Sequence, residues 1–174
     1  KIFVLAANAV ENAVLLLASG LANKSNQVGR NLMDHVDMLA WALLPDRVGN
    51  FRGPMATSEV VAFRNGTFRS KHSAFRIEIT NTGWAWPEGA PYSTVRNMVH
   101  QSNQFGKGLR ARVRDEVQRQ VRFGFVFEQN PEQRNRVSIA QDYVDEYGCH
   151  KPVIHYDLSD YTKAAFPVAR KVSK

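Results

Sequence analysis

Residues 2–20 read IFVLAANAVENAVLLLASG, and residues 26–37 read NQVGRNLMDHVD. The run from Ile2 to Ala7 has no polar alternation, which predicts a strand buried on both faces. It ends at Asn8 and passes directly into an apolar segment, Ala9 to Ala18, of helical character. Small residues at such a strand exit let a ligand approach the backbone. The helix start that follows offers N–H groups to polar or anionic ligand atoms. On this reading Ala7, Asn8 and Ala9 form a strand-to-helix step, with Glu11 in the first helical turn favouring the helix dipole.

Working outward, Met38 to Leu44 is a strand-like apolar run closed by Pro45. Arg52-Gly53-Pro54 marks a turn before Glu59 to Phe63. Ser73 to Thr80 alternates, with Phe75, Ile77 and Ile79 on one face and Arg76, Glu78 and Thr80 on the other. Asn81 to Ser93 is rich in Gly, Pro and Trp and reads as a loop, in which Trp84 and Trp86 share a face if the segment is extended. Gln120 to Glu128 alternates again, and Arg136 to Ala140 and Pro152 to Tyr156 are two further short strands. Ser159 is an N-cap candidate for a helix over Asp160 to Arg170, in which Pro167 would sit awkwardly. Alternating strands with few helices between them predict an α+β fold, an antiparallel sheet faced by helices.

The residues of the opening resemble the second signature of the glucose–methanol–choline (GMC) family of FAD-dependent oxidoreductases. Glu11, the Leu15-Leu16-Leu17 run and Ser19 match it, while Asn12 and Ala13 stand where that family has Thr-Pro. The stretch from Val28 to His35 is similar to the family's VGxNLxDH box, and Asn135 to Ile139 and Ile154 to Tyr161 follow in the family's order. The boxes look most like those of the bacterial sugar and polyol dehydrogenase branch, and the resemblance covers essentially the whole chain.

That resemblance implies a strand–helix remnant of an FAD-binding, Rossmann-like domain over residues 1–35. It implies an antiparallel-sheet substrate domain over 36–156, and over 157–174 a helix leading back towards the FAD domain. It places Ala7, Asn8 and Ala9 against the adenosine side of FAD, with Asn31 and His35 in the box packed near the flavin. It also implies a sugar or alcohol substrate, hydride transfer to flavin, and an electron acceptor that is oxygen, a quinone or a haem partner. No G-x-G-x-x-G fingerprint occurs; Gly106 and Gly108 lie in FGKGLR. The family's catalytic base belongs to a C-terminal region without a counterpart here. The expectation is therefore a central fragment of a flavoenzyme, running from a strand at Lys1 to a helix at Lys174 and inactive by itself.

Composition bounds the other readings. The chain has 174 residues, 44% hydrophobic and 22% charged, enough for one ordinary domain or slightly more. No apolar run is long enough to span a membrane, and the opening lacks the basic start and cleavage site of a secretion signal. One cysteine, Cys149, excludes a disulfide framework within this sequence. His72, His100, His150 and His155 have no metal-ligand spacing, and Ala18-Ser19-Gly20 is not a nucleophile elbow.

The formal charge of +7 invites a nucleic-acid reading, concentrated in the window from Lys107 to Arg122. There Leu109, Val113, Val117 and Val121 recur every four residues, predicting an amphipathic helix. Asp115 and Glu116 interrupt its positive field and no aromatic residues interleave, so a solvated helix face is preferred and nucleic acid set aside. His35 beside Asp34 suggests a general base, against which stands structural hydrogen bonding. Trp41, Trp84, Trp86 and Tyr92 are either a sugar-stacking wall or sheet packing. A non-catalytic binding or scaffold protein of the same fold is the alternative function.

Overall fold

A computed structural model describes residues 2–174, the side chain of Thr57 excepted. In chain order the elements are α1 (Ala9–Ala18), β1 (Val36–Leu43), β2 (Ala56–Val60), β3 (Phe75–Thr80), α2 (Ala85–Glu88), α3 (Tyr92–His100), α4 (Gly106–Arg119), β4 (Gln120–Phe127), β5 (Arg136–Val144), β6 (His150–His155), α5 (Asp160–Lys163) and α6 (Ala165–Val172). The fold is α+β. Its chain divides into two compact units: residues up to Asp34 with Gln129–Asp160, and His35–Glu128 with Tyr161–Lys174. Lys1, the expected strand start, lies outside the described residues.

The first unit is α1 packed on the antiparallel hairpin β5–β6. Its small core is Ala13, Val14 and Val137, with Val10, Leu32 and Ile139 against them. Ala13 and Val14 are therefore the inward edge of α1. The hairpin pairs Arg136 with His155 and Ile139 with Pro152, then loses register before Val144 and His150. The expected buried strand over Ile2 to Ala7 is not formed. These residues precede α1 without strand pairing, and Ile2, Phe3 and Val4 are 92%, 90% and 80% exposed. A strand requires a neighbour for its N–H and C=O groups, and none of the described residues pairs with this segment.

The second unit is a four-stranded antiparallel sheet in the order β1-β4-β3-β2. The register brings Val36, Phe127 and Phe75 into one row and Met38, Phe125 and Ile77 into the next. Phe75 stacks on Phe63 at 4.6 Å between centroids, and α6 sets Phe166 edge-on to Phe127 at 4.8 Å. The opposite face carries Arg76, Glu78, Thr80 and Arg122, as period-two alternation requires. Arg122 is nevertheless buried and donates from Nε to Thr80 Oγ1 at 2.9 Å. Desolvation draws its guanidinium pKa below the usual range, opposed by the charges of Glu78 and Asp37.

Several expectations change here. The single sheet expected between residues 36 and 156 is two, because β5 and β6 form a separate two-stranded sheet that groups with the first unit. The basic helix stops at Arg119, so Val121 is a buried residue of β4 rather than its last apolar position. The loop over Asn81 to Ser93 contains the helical turn α2 and ends in α3, whose inward face is Thr94 and Met98. Trp84 and Trp86 then do not share a face. The predicted helix from Asp160 to Arg170 breaks at Ala164. That break places Pro167 in the first turn of α6, where its missing N–H costs no intrahelical bond. α6 ends at Val172, before Lys174.

Candidate functional site

The first unit brings three separated stretches of sequence together. Gly29 accepts the Val137 amide at 2.7 Å, and the Leu32 amide donates to Asn135 O at 2.9 Å. Asn135, 1% exposed, donates from Nδ2 to Asp157 O at 2.9 Å and accepts the Asp157 amide on Oδ1 at 2.9 Å. The stretches around residues 28–35, 135–139 and 154–161 are thus tied together, the last of them through the Asn135 side chain. Gln129 closes the group: its Oε1 accepts the Asp34 amide at 3.0 Å and the Tyr156 hydroxyl at 2.8 Å. Burial pushes the Tyr156 phenol above its ordinary pKa, against the bond to Gln129.

Asn8 caps α1, its Oδ1 accepting the Glu11 amide at 2.9 Å. Its backbone is extended, with φ −68° and ψ 167°. The amide group of Asn12 turns back onto Ala7, accepting from its N–H at 3.2 Å and donating to its C=O at 3.0 Å. Ala9 is the first residue of α1, and all three step residues are exposed. Asn31 is half-buried at φ 59° and donates to Gln27 Oε1 at 3.1 Å. Ala7, Asn8, Ala9 and Asn31 therefore share the first unit, whereas His35 belongs to the second and is exposed.

Arg30 and Arg136, which motif reading passed over, oppose each other on an isolated antiparallel bridge. Both line a cavity of about 320 Å³ with Asn23, Asn26, Ser138 and Gln141. The signal that could have found them is the arginine inside each of two boxes, at Val28-Gly29-Arg30 and Asn135-Arg136. Arg136 also lines a second cavity of about 390 Å³ with Arg134, His155, Tyr156 and Asp157.

In the second unit a cavity of about 500 Å³ has Phe75 and Phe127 in its wall beside Glu59, Arg69, Arg76 and Glu128. Two of the three arginines that line it are paired: Arg76 meets Glu59 at 2.9 Å and Glu78 at 2.6 Å, and Arg69 meets Glu128 at 2.7 Å. The basic helix α4 carries counter-charges as well. Asp115 binds Arg47 at 3.1 Å and Arg119 at 3.0 Å, and Arg112 lies 3.8 Å from Glu116. Trp84 donates to Ala42 O at 3.2 Å, an anchor onto β1, while Trp86 and Tyr92 are exposed. Among the described residues no cluster of His, Cys, Asp and Glu could hold a metal, and no helix is long and apolar enough to cross a membrane.

No family model matches the chain. It is 31% identical over 180 residues to the large subunit of fructose dehydrogenase from Gluconobacter japonicus. That alignment takes in 98% of this chain and 31% of the relative, so the chain spans about a third of the relative's length. The chain is thus similar to part of an oxidoreductase subunit, along almost all of its own sequence.

Proposed function

We propose that this chain is part of an FAD-dependent GMC-type oxidoreductase that oxidises an alcohol group of a sugar, polyol or sugar acid. The observation that carries the reading is the similarity to a fructose dehydrogenase subunit along 98% of the chain. It is supported by the hydrogen bonds that tie the three boxes together in the first unit.

The residues present fit one edge of the cofactor. The exposed step at Ala7, Asn8 and Ala9 has only small side chains. The N–H groups of the first turn of α1 lack intrahelical partners, and the Asn8 side chain caps only that of Glu11. These groups suit the polar atoms of an adenosine moiety, with Asn31 in the same unit. Bound flavin would supply the acceptor for the electron pair leaving the alcohol carbon. The chain's own part is to present that step and the sheet of the second unit. The pyrophosphate site and the catalytic base would come from other segments of the parent, and electrons would leave to a quinone or an acceptor protein.

The natural polypeptide containing this sequence should release FAD on denaturation, and fructose or another sugar should bleach its flavin absorption without oxygen. A polypeptide of this chain's mass alone that carries no flavin overturns the proposal in favour of a non-catalytic binding protein.

A further inference from the structure

We infer that Arg30 and Arg136 form a binding site for a small oxyanion, a phosphate or carboxylate group, within the first unit. The bridge between them is flanked by the bond from the Val137 amide to Gly29 O. That pattern marks the non-hydrogen-bonded type of antiparallel pair, in which opposed side chains approach most closely. Both side chains therefore leave the same face of the ladder, and both line the cavity of about 320 Å³.

Like charges directly opposite each other destabilise a strand pair unless something offsets them. The cavity that the two share contains no carboxylate. The cavity's remaining lining is Asn, Ser, Gln and apolar residues, and no ion pair among the described residues includes Arg30 or Arg136. Arg134, by contrast, is neutralised by Glu132 at 2.6 Å. The Arg30 guanidinium is also held in place. Arg30 donates from Nε to Asn26 O at 2.8 Å, which fixes its plane and leaves its terminal amino groups for a ligand. The Nε of Arg136 is buried without a hydrogen-bond partner. Two guanidiniums facing one cavity that holds no carboxylate match the oxygens of a phosphate or carboxylate. The cavity's volume suits a small molecule rather than a macromolecule.

The test is titration calorimetry of the purified protein with sodium phosphate and, separately, sodium citrate, against sodium chloride at matched ionic strength. Saturable binding beyond chloride is expected. Tighter phosphate binding assigns the site to phosphate-bearing ligands, and tighter citrate binding to carboxylates. Arg30→Gln and Arg136→Gln should each weaken binding about tenfold or more, as loss of a charge-assisted bond implies. Arg134→Gln, with the same change in formal charge, should bind like the parent.

Thermal unfolding without added anion separates binding from folding. There Arg136→Gln should be at least as stable as the parent, because a like-charge repulsion is gone, whereas Arg30→Gln also loses the bond to Asn26 O. Absence of saturable binding overturns the inference. So does an Arg134→Gln variant weakened as much as Arg136→Gln, or an Arg136→Gln variant that is less stable without anion.

Discussion

Gly29 lies so close to Val137 that a Cβ on it would stand 2.3 Å from the Val137 carbonyl oxygen. Gly29 is also at φ 76°, a conformation that side chains resist. Both effects act on one residue, and the obstacle is backbone that belongs to β5. Gly29→Ala should therefore destabilise the first unit by about 3 kcal/mol, from strain plus overpacking. Gly20→Ala is the control, since Gly20 has φ 64° but nothing within 4 Å of its added Cβ. It should cost about 1 kcal/mol. Denaturant unfolding of both variants measures the difference, and equal losses would mean that the close approach is not what selects glycine.

Asn135 bridges two stretches of chain with one side chain, satisfying both the N–H and the C=O of Asp157. Asn135→Ala should remove both bonds and leave the Asp157 backbone groups without them, a loss of about 2–4 kcal/mol. Hydrogen exchange of the β5 and β6 amides would report it as faster opening of the hairpin. Unchanged exchange would show that the Asp157 tie does not hold the hairpin.

Helix α1 was legible because Asn8 supplies a cap and Ala9 to Ala18 an apolar run that needs no distant partner. Strands β1, β3 and β4 were legible from runs or alternation that survive in the sheet, down to the rows of Phe75, Ile77, Phe125 and Phe127. The segment from Ile2 to Ala7 failed for the opposite reason: an apolar run states a preference, and pairing depends on another strand. Helix α3 was hidden by the Gly and Pro residues before it, although Thr94, Val95 and Met98 carry helical spacing. The partition of β5 and β6 away from the main sheet is non-local and left no mark in periodicity. At the site, each box was visible as residues. That Arg30 opposes Arg136, or that Asn135 holds Asp157, depends on long-range register.

Asp115 carries the clearest pH dependence. The hydrogen bond from Arg47, with the charges of Arg119 and Arg47, holds its carboxyl below the ordinary range despite some desolvation. A depressed folded-state value means that its contribution is complete above the usual carboxylate pKa. The contribution fades as pH falls through the folded value. Asp115→Asn should therefore be less stable than the parent at neutral pH, and the two should converge in acid. The pair is exposed, so the gap should be small and shrink further with salt. Thermal unfolding across an acid pH series checks this, and a gap that widens in acid would contradict the assignment.

Gln120 is wholly buried where α4 hands over to β4, and its side chain joins three segments. Its Nε2 donates to Thr94 Oγ1 at 3.2 Å on α3, and its Oε1 accepts the Trp84 amide at 3.3 Å. Trp84 in turn reaches the Ala42 carbonyl on β1. Gln120→Ala opens a cavity and strands the Trp84 amide and the Thr94 hydroxyl, which should cost about 2–4 kcal/mol. Thr94→Val removes one of those bonds while keeping the volume, and should cost about 1 kcal/mol. Because Trp84 depends directly on Gln120, the alanine variant should also shift the native tryptophan fluorescence, which Thr94→Val should leave near the parent's. If both variants lost the same stability and neither changed the fluorescence, Gln120 would be filling space there rather than positioning Trp84.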